Sequence, residues 1–172
     1  MTTVTRRLLL LRHAKADRPA DVTDHLRPLA SRGRRDAAAV GRWLAAEHLV
    51  PDLVLCSDAT RAVETWDGVR EGLGHDVPVR HEPRLYDTSP SSVVQLCAEA
   101  PDEVRTLLVV AHEPTMSAVA VALAGPGSDH GLVARVRAHL PTSGVVVLEL
   151  DGTWQDLAAG ACRLVGLTAP RG

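Results

Sequence analysis

The chain has 172 residues, 45% of them hydrophobic, and its 19 Lys and Arg against 21 Asp and Glu give a formal net charge of −2. That length fits a single domain over residues 1–172, and interspersed charges leave no basic stripe for a nucleic-acid backbone. Three Trp, one Tyr and no Phe argue against a base-stacking platform, while the longest apolar run near the N-terminus, Leu8 to Leu11, is too short for an export signal or a membrane span, so the cytoplasm is the expected compartment.

Taken in chain order, Arg7 to Arg12 holds four consecutive leucines, the pattern of a strand buried on both faces. Ser31 is placed to cap a helix running to about Leu49, with apolar positions at Ala38, Val40, Leu44 and Ala45. Leu53 to Cys56 reads as a second buried strand. Thr60 to about Leu73 reads as a helix closed near Gly74. Val77 to His81 suits a short strand, and Pro90 to Ala100 a helix with proline in its first turn. Thr106 to Ala111 is apolar and β-branched, hence a central strand, and Pro114 permits a helix from there to about Ala124. Val145 to Leu150, Asp151-Gly152, then Thr153 to Leu164 predicts a terminal β-hairpin, because Asp-Gly favours a two-residue turn. Alternating strands and helices predict an α/β fold: three layers, α/β/α, with a mostly parallel central sheet and a C-terminal β-hairpin. Cys56, Cys97 and Cys162 are odd in number and irregularly spaced, so they read as reduced thiols.

Ligands of open α/β sheets bind beyond the carboxyl ends of the strands. Three predicted strands end in reactive polar residues: Arg12-His13, Ser57 to Arg61, and His112-Glu113. Two Arg and two His gathered on one rim repel one another unless an anion binds there, and a phosphate dianion resolves the repulsion. Arg presents a planar fork matched to phosphate oxygens. Neutral imidazole is a competent nucleophile, since its unperturbed pKa is about 6.5.

Leu11-Arg12-His13-Ala14-Lys15, Ser57-Asp58-Ala59-Thr60-Arg61-Ala62-Val63-Glu64-Thr65 and Val109-Val110-Ala111-His112-Glu113-Pro114 resemble, in order, the three motifs of the histidine phosphatase (phosphoglycerate mutase-like) superfamily. The segment Asp24-His25-Leu26-Arg27-Pro28-Leu29 through Gly33, then Trp43-Leu44, together with the short chain, resembles the SixA-like phosphohistidine phosphatase branch. The resemblance implies that His13 attacks phosphorus while Arg12, Arg61 and a protonated His112 hold the phosphoryl oxygens. It implies no metal or other cofactor, and a phosphorylated protein histidine or a small phosphorylated molecule as partner. Arg27 and Ser57 join Arg12 and Arg61 as candidate substrate-binding residues. The acid that many relatives place after the third strand has no clear counterpart; Glu82 and Asp87 are the candidate proton donors. His25, His48, His75, His81, His130 and His139 read as ordinary surface or loop residues.

Three alternatives are weaker. A cysteine phosphatase needs five residues between Cys and Arg, and Cys56 and Arg61 are too close. A zinc hydrolase needs a second His where Met116 stands. A non-catalytic phosphate-binding module has no need for both His13 and His112.

Overall fold

A computed structural model describes residues 4–172. Its elements run β1 (Thr5–Arg12), α1 (Ser31–Ala46), β2 (Leu53–Cys56), α2 (Thr60–Leu73), β3 (Val79–His81), α3 (Pro90–Ala98), β4 (Thr106–Ala111), α4 (Thr115–Leu123), α5 (His130–Ala138), β5 (Val145–Asp151) and β6 (Cys162–Thr168). The strands form one six-stranded sheet in the order β3-β2-β4-β1-β5-β6. β1, β2, β3 and β4 pair in parallel; β5 runs antiparallel to β1, and β6 antiparallel to β5.

The four leucines of β1 are all fully buried because helices cover both faces of the sheet. Alternation sends Leu8 and Leu10 to one face, where they join α3, α4 and α5 through Val93, Leu96, Met116, Val119 and Val136. Leu9 and Leu11 face the other way, onto Val40 and Leu44 of α1 and Trp66 and Val69 of α2. The result is the expected α/β/α arrangement. α1 and α2 approach closely because glycines line their seam: a Cβ at Gly72 would lie 2.0 Å from the Ala38 carbonyl oxygen, and one at Gly41 2.1 Å from that of Val69.

Four local expectations need correction. Ser31 is the first residue of α1 rather than its cap; Ala30 occupies the cap and offers no side-chain acceptor. β5 and β6 do form an antiparallel pair, but not through a tight Asp-Gly turn. Gly152 to Ala161 make a longer excursion with a 3₁₀ turn at Trp154–Asp156, because Trp154 is fully buried and donates its indole N–H to the Val104 carbonyl at 2.9 Å. The strand that follows therefore starts at Cys162 instead of Thr153. Helix α5 lies where no helix is anticipated, its N-terminus capped by Asp129, which accepts from the Leu132 N–H. No helix among the described residues is long and apolar enough to cross a membrane. The three cysteines are buried free thiols.

Candidate active site

The site forms where β1, β2 and β4, adjacent in the sheet, all end on one rim. The chain leaves each strand still tied to its neighbour: the His13 N–H donates to the Ala111 carbonyl at 3.0 Å, and the Ser57 N–H to that of Val110 at 2.9 Å. From the other side the Arg12 N–H donates to the Gly144 carbonyl, and the Ser143 N–H donates back to those of Arg12 and His13. The buried Thr65 hydroxyl accepts from the Ala14 N–H at 3.0 Å and donates to the Arg61 carbonyl at 2.6 Å, joining the nucleophile loop to α2. Central strands thus hold the polar residues in fixed relation.

Within this frame the His13 Nδ1–H donates to the Ala14 carbonyl at 2.8 Å, which leaves the lone pair on Nε2. Arg61, the second residue of α2, points its Nε–H at that lone pair across 3.3 Å. The His112 ring lies 5.2 Å from the His13 ring, centroid to centroid, and its Nε2 hydrogen-bonds the fully buried Ser57 hydroxyl at 2.8 Å. Arg12 is oriented by donating Nη1–H to the Leu140 carbonyl at 2.8 Å.

Burial pushes His13 down to about 3 against the favourable bond to Ala14, and repulsion from His112, Arg61 and Arg12 acts in the same direction as burial. Burial pushes His112 down to about 4, helped by the charge of Arg61. Both rings are therefore neutral at pH 7 in the unliganded site. The expectation of a protonated His112 concerns the phosphate-bound site, where the charge of a dianion favours the proton. Cys56 is excluded as a nucleophile, since its thiol is buried and held well above the ordinary cysteine range.

A cavity of about 350 Å³ opens over these groups, lined by Arg12, His13, Lys15, Arg18, Arg61 and His112 among others. A second, of about 410 Å³, adjoins it across Arg61 and His112 and is walled by Tyr86, Asp87 and Thr88. A larger surface hollow, about 820 Å³, lies beside α2 at Gly68 to Asp76 and includes none of the strand-end residues. Volume is a poor guide here, because the small cavity is the one holding the convergent polar groups.

Arg27 also faces the first cavity, but its Nε–H donates to the Asp17 carbonyl and its Nη1–H to the Asp24 carboxylate, so it pins its loop. Of the two candidate acids, Asp87 lines the second cavity. Glu82 lines neither; its carboxylate is taken by Arg80 and Arg84. The two arginines flank Glu82 on the edge strand β3 and the following turn, which draws it away from the rim. Glu113 lines both cavities, yet its carboxylate accepts from the N–H and hydroxyl of Ser117.

Sequence reasoning passed over Asp24, Tyr86 and His25. Asp24 accepts from Arg61, Arg27 and Tyr86. The Tyr86 ring stands edge-on to both His25 and His112. His25 lies in the β1–α1 connection, as expected, and its Nε2 pairs with Asp58 at 3.0 Å. A carboxylate facing Arg61 is the partner that a cation at a helix N-terminus calls for, and that was the one available signal. Among the described residues, no group of three or more His, Cys, Asp or Glu is arranged to hold a metal ion.

Residues 8–104 match the model of the histidine phosphatase superfamily, branch 1. An uncharacterized protein of Mycobacterium tuberculosis is 44% identical over 162 residues, covering 94% of this chain and 100% of that protein. A SixA-type protein of Nakamurella multipartitia superposes with a TM-score of 0.83 at 34% identity, covering 96% of each chain. Another, from Agrobacterium tumefaciens, gives 0.80 at 29% identity over 96% of this chain and 98% of the other.

Proposed function

The chain belongs to the histidine phosphatase superfamily, in its SixA-like branch, and on that footing we propose that this histidine-nucleophile phosphatase acts on phosphohistidine in a protein, residues 1–172 serving as one catalytic domain. The observation that carries the reading is the state of His13: neutral, its Nδ1–H committed to Ala14, its Nε2 lone pair facing the site.

The phosphoryl group enters beside Arg61, whose Nε–H passes from His13 Nε2 to a phosphoryl oxygen. His13 Nε2 attacks phosphorus, an N–P bond forms, and the substrate's own P–N bond breaks as its ring, already protonated on the other nitrogen, takes the electron pair and leaves as neutral imidazole. Water then attacks phosphorus, the N–P bond breaks, and phosphate departs. Arg12, Arg61 and His112 stabilise the charge on the equatorial oxygens. His112 gains its proton as the dianion arrives. Side chains supply the positive charge, so the reaction requires no metal.

The leaving group decides the substrate. Phosphohistidine with a protonated ring leaves readily, whereas an alkyl phosphate needs a strong proton donor. The carboxylates nearest the site serve as acceptors: Asp24 binds Arg61 and Tyr86, and Glu113 binds Ser117. Asp87, exposed in the second cavity, supports a second reading as a small-molecule phosphomonoesterase in which it protonates the leaving oxygen. A panel of phosphohistidine peptide, aryl phosphate and sugar phosphates separates the two. The first reading expects the highest kcat/KM on the peptide and little effect of Asp87→Asn. A sugar phosphate preferred over the peptide, with turnover lost in Asp87→Asn, establishes the second reading and overturns the first.

A further inference from the structure

Arg61 is fastened on its outer end by one residue used twice. Its Nη1–H donates to the Asp24 backbone carbonyl at 2.6 Å, and its Nη2–H to Asp24 Oδ2 at 3.1 Å. The same oxygen accepts from the Tyr86 hydroxyl at 2.8 Å, while Oδ1 accepts from Arg27 Nη1–H at 3.1 Å. The Tyr86 ring lies along the guanidinium, with its centroid 5.9 Å from Cζ. A guanidinium carries five N–H groups in a rigid fork. With Asp24 taking the outer end, Nε–H is left facing His13.

We propose that Asp24 is the positioning residue of the phosphoryl-binding site, fixing the rotation of the Arg61 guanidinium so that its Nε edge faces the reacting atoms, with Tyr86 holding the Asp24 carboxylate in place. The inference rests on Arg61 acting on the phosphoryl group. Four facts point to this role. Arg61 is nearly buried, so a misdirected rotamer would strand its N–H groups away from water. Asp24 stands on a short 3₁₀ turn at Asp24–Leu26 in the long connection between β1 and α1, with no buried residue of its own. Its side chain is 56% exposed, so it contributes little packing, and its carboxylate is spent on orienting other side chains. Tyr86 reaches it from the opposite connection, between β3 and α3, so the clamp spans two otherwise separate loops. Asp24 does not touch the phosphoryl group, because a carboxylate there would repel it.

The test is a double-mutant cycle read as kcat and KM on an aryl phosphate, with Asp24→Ala, Asp24→Asn and Tyr86→Phe made alone and in an Arg61→Ala background. Residues that act through one partner are non-additive with it. Asp24→Ala should lower kcat about tenfold, less than the roughly 10²–10³ for loss of a transition-state donor, because the Asp24 carbonyl still holds Nη1. Asp24→Asn should retain most of kcat, since its amide oxygen still accepts from Arg61 and Tyr86. Tyr86→Phe should fall between. All three should be silent once Arg61 is Ala. A loss in Asp24→Ala that persists undiminished on top of Arg61→Ala overturns the proposal, as does Asp24→Asn as damaging as Asp24→Ala. Wild-type kcat in Arg61→Ala alone overturns instead the placement of Arg61 on the phosphoryl group.

Discussion

Arg61 Nε–H donates to His13 Nε2 across 3.3 Å, so in the resting site a cation covers the lone pair that has to attack phosphorus. Burial keeps His13 unprotonated, the charge of Arg61 adds to it, and the contact aims the ring. It also makes uncovering conditional, because only an anion that competes for Nε–H frees the nucleophile.

Rapid quench with labelled substrate should trap phosphate on His13. A phosphoramidate is lost in acid and kept in alkali, the reverse of an acyl phosphate on Asp or Glu. His13→Ala should trap no label and lose most turnover, while His112→Ala should turn over slowly and still label. Base-labile label would move the nucleophile to a carboxylate.

Acid should act on binding and on stability in opposite directions. His112 is neutral when the site is empty, at about 4, and takes a proton when a dianion binds. Sulfate stays doubly charged over the relevant range, so its affinity should rise as pH falls from 7 toward 5, by at most about tenfold per unit. Calorimetry in buffers of different ionisation enthalpy should show proton uptake; none would mean that His112 binds as the neutral ring. For stability, both histidines have folded-state values below the ordinary 6.5. Between those values the unfolded chain holds more protons, so stability should fall as pH drops from about 6.5 toward 3–4. His13→Asn should flatten that fall in a thermal-melt series.

Planar geometry at Arg61 should matter beyond charge. Arg61→Lys keeps the charge but cannot donate to His13 and Asp24 together, so kcat should stay roughly 10²-fold down. The same reliance on side-chain charge predicts full activity after exhaustive chelation. Loss that Zn²⁺ or Mg²⁺ restores would place a metal in the reaction.

The α1–α2 seam should tolerate no added methyl. Gly72→Ala would place a carbon 2.0 Å from the Ala38 carbonyl oxygen, and overpacking of this kind costs on the order of 2 kcal/mol. The helical preference for Ala over Gly offsets up to about 1 kcal/mol of this. A melting temperature a few degrees lower should result, at about 2–4 °C per kcal/mol for a chain this long. An unchanged or raised value would mean that the helices separate at no cost.

The strand ends were legible because the signal is local. Four buried leucines followed at once by Arg12-His13, and a β-branched run followed by His112, announce both the strands and the rim they share. Gly74, with φ of 69°, closes α2 as its sequence position implies. The clamp was illegible because Asp24 and Tyr86 lie 62 residues apart on irregular connections, and no periodicity marks a loop carboxylate that will meet an arginine. Glu82 misled for a related reason: sequence position put an acid near the rim, but its two flanking arginines decide where it points. α5 escaped notice since its apolar stripe is short, only Leu132, Val133 and Val136, and only the last is fully buried.

The hydrogen bonds that tie His13 to β4 and to the turn before β5 divide the site into two kinds of material. Arg12, His13, Ser57 and His112 hang from the three central strands, whose amides exchange with solvent only when the sheet itself opens. Asp24, His25, Arg18 and Tyr86 stand on connections that can open locally while the sheet stays closed. The nucleophile thereby rests on the strand ends, while the orientation of Arg61 rests on the loops. Because Asp24 and Tyr86 in loops 17–28 and 82–89 also hold Arg61, a graft of those two segments from a relative should carry substrate preference with it and keep turnover only where both residues are retained.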